Sequence, residues 1–139
     1  MKNKYMKKTY SIIFLLLFVL AKTSSANEIN FNTSKIEISN NGNTITAING
    51  EAISIADKIK IKGEKFVYEK NLSSLSASGN LFVTNDNQNI RIESETIFYD
   101  LNKKIIFSNQ SSTMYDDFGN QYITGDFNYD IQKGIIKIN

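Results

Sequence analysis

The sequence predicts an all-β fold, an antiparallel β-jellyroll of about eight strands. Such a fold is a sandwich of bent strands or an incompletely closed barrel. Three observations predict it. A short aromatic phrase recurs at nearly constant spacing: Phe66-Val67-Tyr68-Glu69, Ile97-Phe98-Tyr99-Asp100 and Phe127-Asn128-Tyr129-Asp130, with the tyrosines 31 and 30 residues apart. Apolar residues alternate with polar ones at period two, the signature of half-buried strands. Proline is absent, so nothing interrupts a backbone ladder. A unit of about 30 residues cannot bury a core alone, so successive units must stack to make one.

The first segment has a different character. Lys2, Lys4, Lys7 and Lys8 make a basic start, Ser11 to Ala21 is apolar, and Ser24-Ser25-Ala26 supplies small residues. That order predicts a secretory signal peptide over residues 1–26. An uncleaved anchor is the alternative, but the run falls short of the roughly 18–20 apolar residues a span needs. The remaining 27–139 form one domain with 11 basic and 14 acidic side chains. It therefore lacks the basic footprint of a nucleic-acid binder. It also has neither Cys nor His. That removes disulfides, the usual nucleophile–base pairs and most zinc sites, so no enzyme, metal or cofactor is predicted.

Taken in order, the alternation predicts which side chains face inward. They are Ile36 and Ile38; Ile45, Ala47, Ile53 and Ile55; Ile59, Ile61, Phe66 and Tyr68; Leu75, Ala77, Leu81 and Val83. Ile90, Ile92, Ile97 and Tyr99 follow, then Ile105 and Phe107, then Phe127 and Tyr129. Turns are predicted at Asn40–Asn43, Ala56–Lys58, Lys70–Asn71, Asn85–Gln88, Leu101–Lys103, Asp117–Asn120 and Ile131–Gly134. Asn, Asp and Gly tolerate the positive φ of tight turns. Gly50, Gly63, Gly79, Ser94 and Gly125 fall near mid-strand, where a small residue marks a bend or bulge. Bent strands let the sheet fold over itself, leaving an apolar trough along the molecule. Little or no helix is expected after the signal.

These residues resemble the OstA-like family, the N-terminal domain shared by LptA-type and LptD-type lipopolysaccharide-transport proteins. The resemblance rests on Ile29-Asn30-Phe31-Asn32, Ala47-x-x-Gly50-x-Ala52, Ala77-x-Gly79-Asn80-Leu81-x-Val83 and the aromatic-x-Tyr-acid phrase. It covers about residues 28–139. It implies a periplasmic jellyroll, with or without association to the outer membrane, that holds the acyl chains of lipopolysaccharide in its interior. It also implies stacking with related jellyrolls, or with itself, through edge strands; here these carry Ile29, Phe31, Ile136 and Ile138. Asn109, where a third small-residue phrase would carry Gly, and Phe107, in place of Ala, depart from the pattern. The resemblance leaves open a stand-alone carrier or the front piece of an LptD-type protein.

Other readings of the same residues stay in view. Eight alternating strands also fit a small outer-membrane barrel with the apolar face outward, and a repeat alone fits a structural module. The aromatics do not gather at strand ends as membrane girdles would require. The rings of Tyr68, Tyr99 and Tyr129 are assigned to the interior with their hydroxyls at the rim. Glu69, Asp100 and Asp130 are read as turn acids. Asp116-Asp117 lacks the alternating spacing of a calcium loop. Lys58, Lys60 and Lys62 form an outward stripe, either a protected edge or solubility face or a contact for lipid phosphates.

Overall fold

The computed structural model describes residues 28–138, so the expected signal peptide lies outside the described residues. Ten antiparallel strands make one sheet: β1 (Asn30–Ser39), β2 (Thr44–Ser54), β3 (Ile59–Glu69), β4 (Ser74–Asn85), β5 (Ile90–Asp100), β6 (Ile105–Ser108), β7 (Ser112–Tyr115), β8 (Gln121–Thr124), β9 (Phe127–Asp130) and β10 (Ile135–Ile138). The order is β1-β2-β3-β4-β5-β6-β9-β10, with β7 pairing β5 and β8. β6 and β7 both lie along β5, so they are two halves of one long strand broken at 109–111. β8 and β9 are likewise split at 125–126. Counted this way the described residues form eight strands, as expected, of which β10 is short. The first break falls at Asn109, where the third small-residue phrase is lost.

Each repeat is a hairpin. Six of the seven predicted turns fall between strands, and the seventh, Asn85–Gln88, begins on the last residue of β4. Consecutive repeats are tied at one end by matching hydrogen bonds. Lys70 N–H donates to the Asn43 carbonyl, Leu101 to Ser73 and Ile131 to Lys104, each at 2.9 Å. The only helical turns among the described residues are the 3-10 turns Asn40–Gly42 and Lys70–Leu72.

Strand register aligns the repeated phrases into rows. Ile38, Ile45, Tyr68, Leu75, Tyr99, Ile106, Tyr129 and Ile136 lie side by side across the eight strands. A second row runs through Ile36, Ala47, Phe66, Ala77 and Ile97. Beyond the mid-strand bends a third joins Phe31, Ala52, Ile61, Val83, Ile92, Met114 and Tyr122. Large aromatics alternate with aliphatic or small neighbours, and cross-strand packing of this kind is the unit of sheet stability. At the bend of β3 a Cβ on Gly63 would strike the Leu81 side chain, so glycine there makes room for an interior leucine.

The sheet is coiled tightly. Ile90 and Tyr99 lie nine residues apart on β5, about 30 Å if the strand were flat. Yet Asn85, which pairs with Ile90, donates at 2.9 Å to the hydroxyl of Tyr129, which lies in the row of Tyr99. Only a sheet folded over on itself brings those two ends together. Among the described residues it does not close: β1 pairs only with β2 and β10 only with β9, leaving an edge at each end.

Candidate functional site

The interior is the candidate site. Ala47, Ile59, Ile61, Phe66, Tyr68, Leu75, Ala77, Leu81, Val83, Ile92, Ile97, Tyr99, Phe127 and Tyr129 are buried there as expected. Ile45 and Ile90 are half-buried against the same cluster. Of the edge residues, Ile29 is buried, Phe31 packs its ring 6.1 Å from Phe66 and 6.4 Å from Tyr68, Ile136 is half-buried and Ile138 is exposed.

Six expected interior residues are placed differently. Ile53 and Ile55 face outward, and Ala52 and Ser54 take their places inside. The cause is the bend at Asn49–Gly50, with φ of 52° and 152°, after which the inward parity of β2 inverts. β3 and β5 invert in the same way, from Ile61 to Phe66 and from Ser94 to Ile97. Ile105 and Phe107 also face out. Ile106 and Ser108 are the inward pair, and Phe107 stacks on Phe98 across the outer face at 5.3 Å. Ile36 and Ile38 sit on interior rows but on the open edge strand, and remain 47% and 64% exposed. The interior also contains Leu101, Ile106, Met114 and Ile131, which alternation within strands did not single out. Leu101 and Ile131 lie in turns, each two residues past a repeated tyrosine, and that spacing was their available signal.

The trough is not apolar throughout. Ser94, Ser108, Ser112 and Thr124 are buried at the broken strands, with Ser94 Oγ 3.0 Å from Ser112 Oγ and 3.3 Å from Ser108 Oγ. At the end of the sheet a mostly apolar cavity of about 490 Å³ opens between β10 and the β7–β8 turn. Ile90, Met114, Phe118, Tyr122, Ile136 and Ile138 line it, with Asp116 and Asp117 among its polar residues. Phe118 is 91% exposed at this mouth.

The tyrosine rings are inside, and two hydroxyls end on half-buried polar groups of the turns at the edge of the interior. Tyr99 OH donates to Asp57 Oδ2, which also takes Lys104 Nζ at 3.0 Å and Ser54 Oγ at 3.3 Å. Tyr129 OH accepts from Asn85 and donates to Gln88, whose amide donates at 2.8 Å to the Ile131 carbonyl. Burial pushes Tyr99 well above its ordinary value, with the Asp57 carboxylate adding to the shift. Burial alone pushes Tyr129 up to about 12.

The charged candidates have local roles. Glu69 accepts from Thr44 at 2.9 Å and from Asn43 at 3.3 Å. Asp100 and Asp130 accept the backbone N–H of Lys103 and Lys133, which with the lysine side chains holds both carboxyls below the usual range. Asp116 accepts from Asn120 Nδ2 at 2.7 Å and from the Phe118 and Asn120 backbone at 2.9 Å, as a turn acid does. Lys58, Lys60 and Lys62 are exposed. β3 lies between β2 and β4, so the stripe protects no edge.

No family model matches the chain, and no curated protein matches it in sequence. Among solved structures, the chain is similar to LptH from Pseudomonas aeruginosa, described as the LptA homologous periplasmic component of the conserved lipopolysaccharide transport device. The TM-score is 0.67 at 14% identity, covering 81% of this chain and 82% of that one. The fold is that open jellyroll. Among the described residues, no helix is long and apolar enough to cross a membrane.

Proposed function

We propose that this chain is an exported periplasmic carrier of lipopolysaccharide or a similar amphiphile, whose acyl chains lie in the apolar interior of the folded sheet. The observation that carries the reading is an inward-facing apolar lining inside a sheet with two open edges, in a fold like that of a periplasmic transport component. The outer-membrane barrel loses its support, because the sheet is open and its apolar rows face inward. The unpaired edges of β1 and β10 suit strand addition, and we assign to them a bridging role with related jellyrolls or further copies. The test is extraction of the exported protein, purified without detergent, followed by mass spectrometry. An acylated, phosphorylated amphiphile in stoichiometric amount is expected; a protein soluble only in detergent, or one that emerges lipid-free after exposure to lipopolysaccharide, would overturn the reading.

A further inference from the structure

Away from the mouth at the end of the sheet, the interior is closed as it stands. Phe66, Ile61, Val83, Ile92 and Ile97 are at most 1% exposed, so an acyl chain reaches them only if the folded sheet parts. Hydrogen bonds cross the line where the two ends of the folded sheet meet. One lip consists of the β2–β3 and β4–β5 turns, the other of the β5–β6 and β9–β10 turns. Two polar clusters span it at the same place in successive repeats: Ser54 and Asp57 to Tyr99 and Lys104, then Asn85 and Gln88 to Tyr129 and Ile131. The residues on the first lip are 31 apart, and the tyrosines 30 apart.

The two clusters differ in chemistry. The second is built from amides and lies beside the mouth, where Gln88 also lines the cavity. The first contains an ion pair withdrawn from solvent, with Lys104 and Asp57 side chains only 17% and 10% exposed. The pairs Lys103–Asp100 and Lys133–Asp130 are local and keep their lysines 74% and 71% exposed. A buried ion pair gives up hydration when it forms and regains it when it separates. It therefore fixes one closed geometry while leaving an open state that water stabilises, as a two-state contact requires.

We propose that the Asp57–Tyr99–Lys104 cluster is a latch whose release opens the interior to an acyl chain. The inference rests on the carrier reading. Tyr99 serves as the hinge of the closed state, its ring packed in the interior row and its hydroxyl tied to the opposite lip. The amide cluster holds the neighbouring repeat in register while the charged one parts.

The test is stopped-flow uptake of a dansyl-labelled undecanoic acid by the full exported protein. The double variant Asp57→Ala/Lys104→Ala removes the bridge and leaves no unpaired charge; it should take up the probe about tenfold faster, with the same amount bound at saturation. In a second protein, Asp57→Cys/Lys104→Cys is joined by a short bis-maleimide, in a chain otherwise free of cysteine. The joined protein should lose uptake while the same variant left unjoined binds, a contrast that holds even if the alanine variant fails to fold. Uptake at the wild-type rate by the joined protein overturns the latch and leaves the carrier reading standing. Failure of wild type and variants alike to bind the probe overturns both.

Discussion

Single residues in this protein are decided by which face of the strand they occupy, and the bends make that decision non-obvious. Ala52 is 1% exposed inside, while its neighbour Ile53 faces out between Lys60 and Asn30. We expect Ala52→Asp to cost several kcal/mol, because it buries a charge with no partner. Ile53→Asp should stay within about 0.5 kcal/mol of wild type. Urea melts of the two variants check the assignment, and the reverse order would mean that β2 keeps one parity throughout. The buried tyrosines give a second prediction. Tyr129 is raised to about 12 from an ordinary 10, and Tyr99 is raised as well. Above pH 10 the unfolded state loses these protons while the folded state keeps them, so stability is complete below 10 and falls as pH rises towards the folded values. Denaturant midpoints from pH 9 to 12 should show that loss, and it should be smaller in Tyr129→Phe. A flat profile in wild type would mean the hydroxyls titrate freely.

At the level of strands and turns, much was legible beforehand. The tyrosine phrase marked two of the three interior rows, and Asn, Asp and Gly marked the turns, because both depend on local chemistry that a sequence states directly. Parity past a bend was legible in part: Ile61 and Phe66 in β3, and Ile92 and Ile97 in β5, were read as inward on both sides of the bend. In β2 it was not, because the inversion at Asn49–Gly50 depends on how the strand twists over its neighbours, which alternation within one segment does not encode. Ile105 and Phe107 were misplaced for a related reason: inward registry in β6 is set by pairing of Ile106 with Tyr99 on β5 and Tyr129 on β9. The contacts of Asp57 and Lys104 were hidden too, since they join residues 47 apart that only coiling of the sheet brings together. The edges give the prediction that belongs to this scale. β10 carries one charge, Lys137, and its Ile135 and Ile138 are 47% and 52% exposed. Ile138→Lys should suppress concentration-dependent association while leaving the thermal midpoint unchanged, since added edge charge opposes strand addition. Light scattering reads the result; undiminished association in the variant would place the contact elsewhere.

For the whole molecule, the proposed function requires that the coiled sheet turn its apolar rows inward to shelter the acyl part of an amphiphile. The same alternation in a membrane barrel would turn them outward, so the requirement is one of direction. Photo-crosslinking tests it most directly. A photoreactive residue is placed at Leu81 or Ile92, both buried, and for comparison at Lys60 or Glu93, both exposed. Side chains at successive strand positions point to opposite faces, so Ile92 and Glu93 differ in direction and hardly at all in position. With lipopolysaccharide as the probe, labelling is expected at Leu81 and Ile92 and little at Lys60 and Glu93. Labelling chiefly at Lys60 and Glu93 would contradict the inward direction.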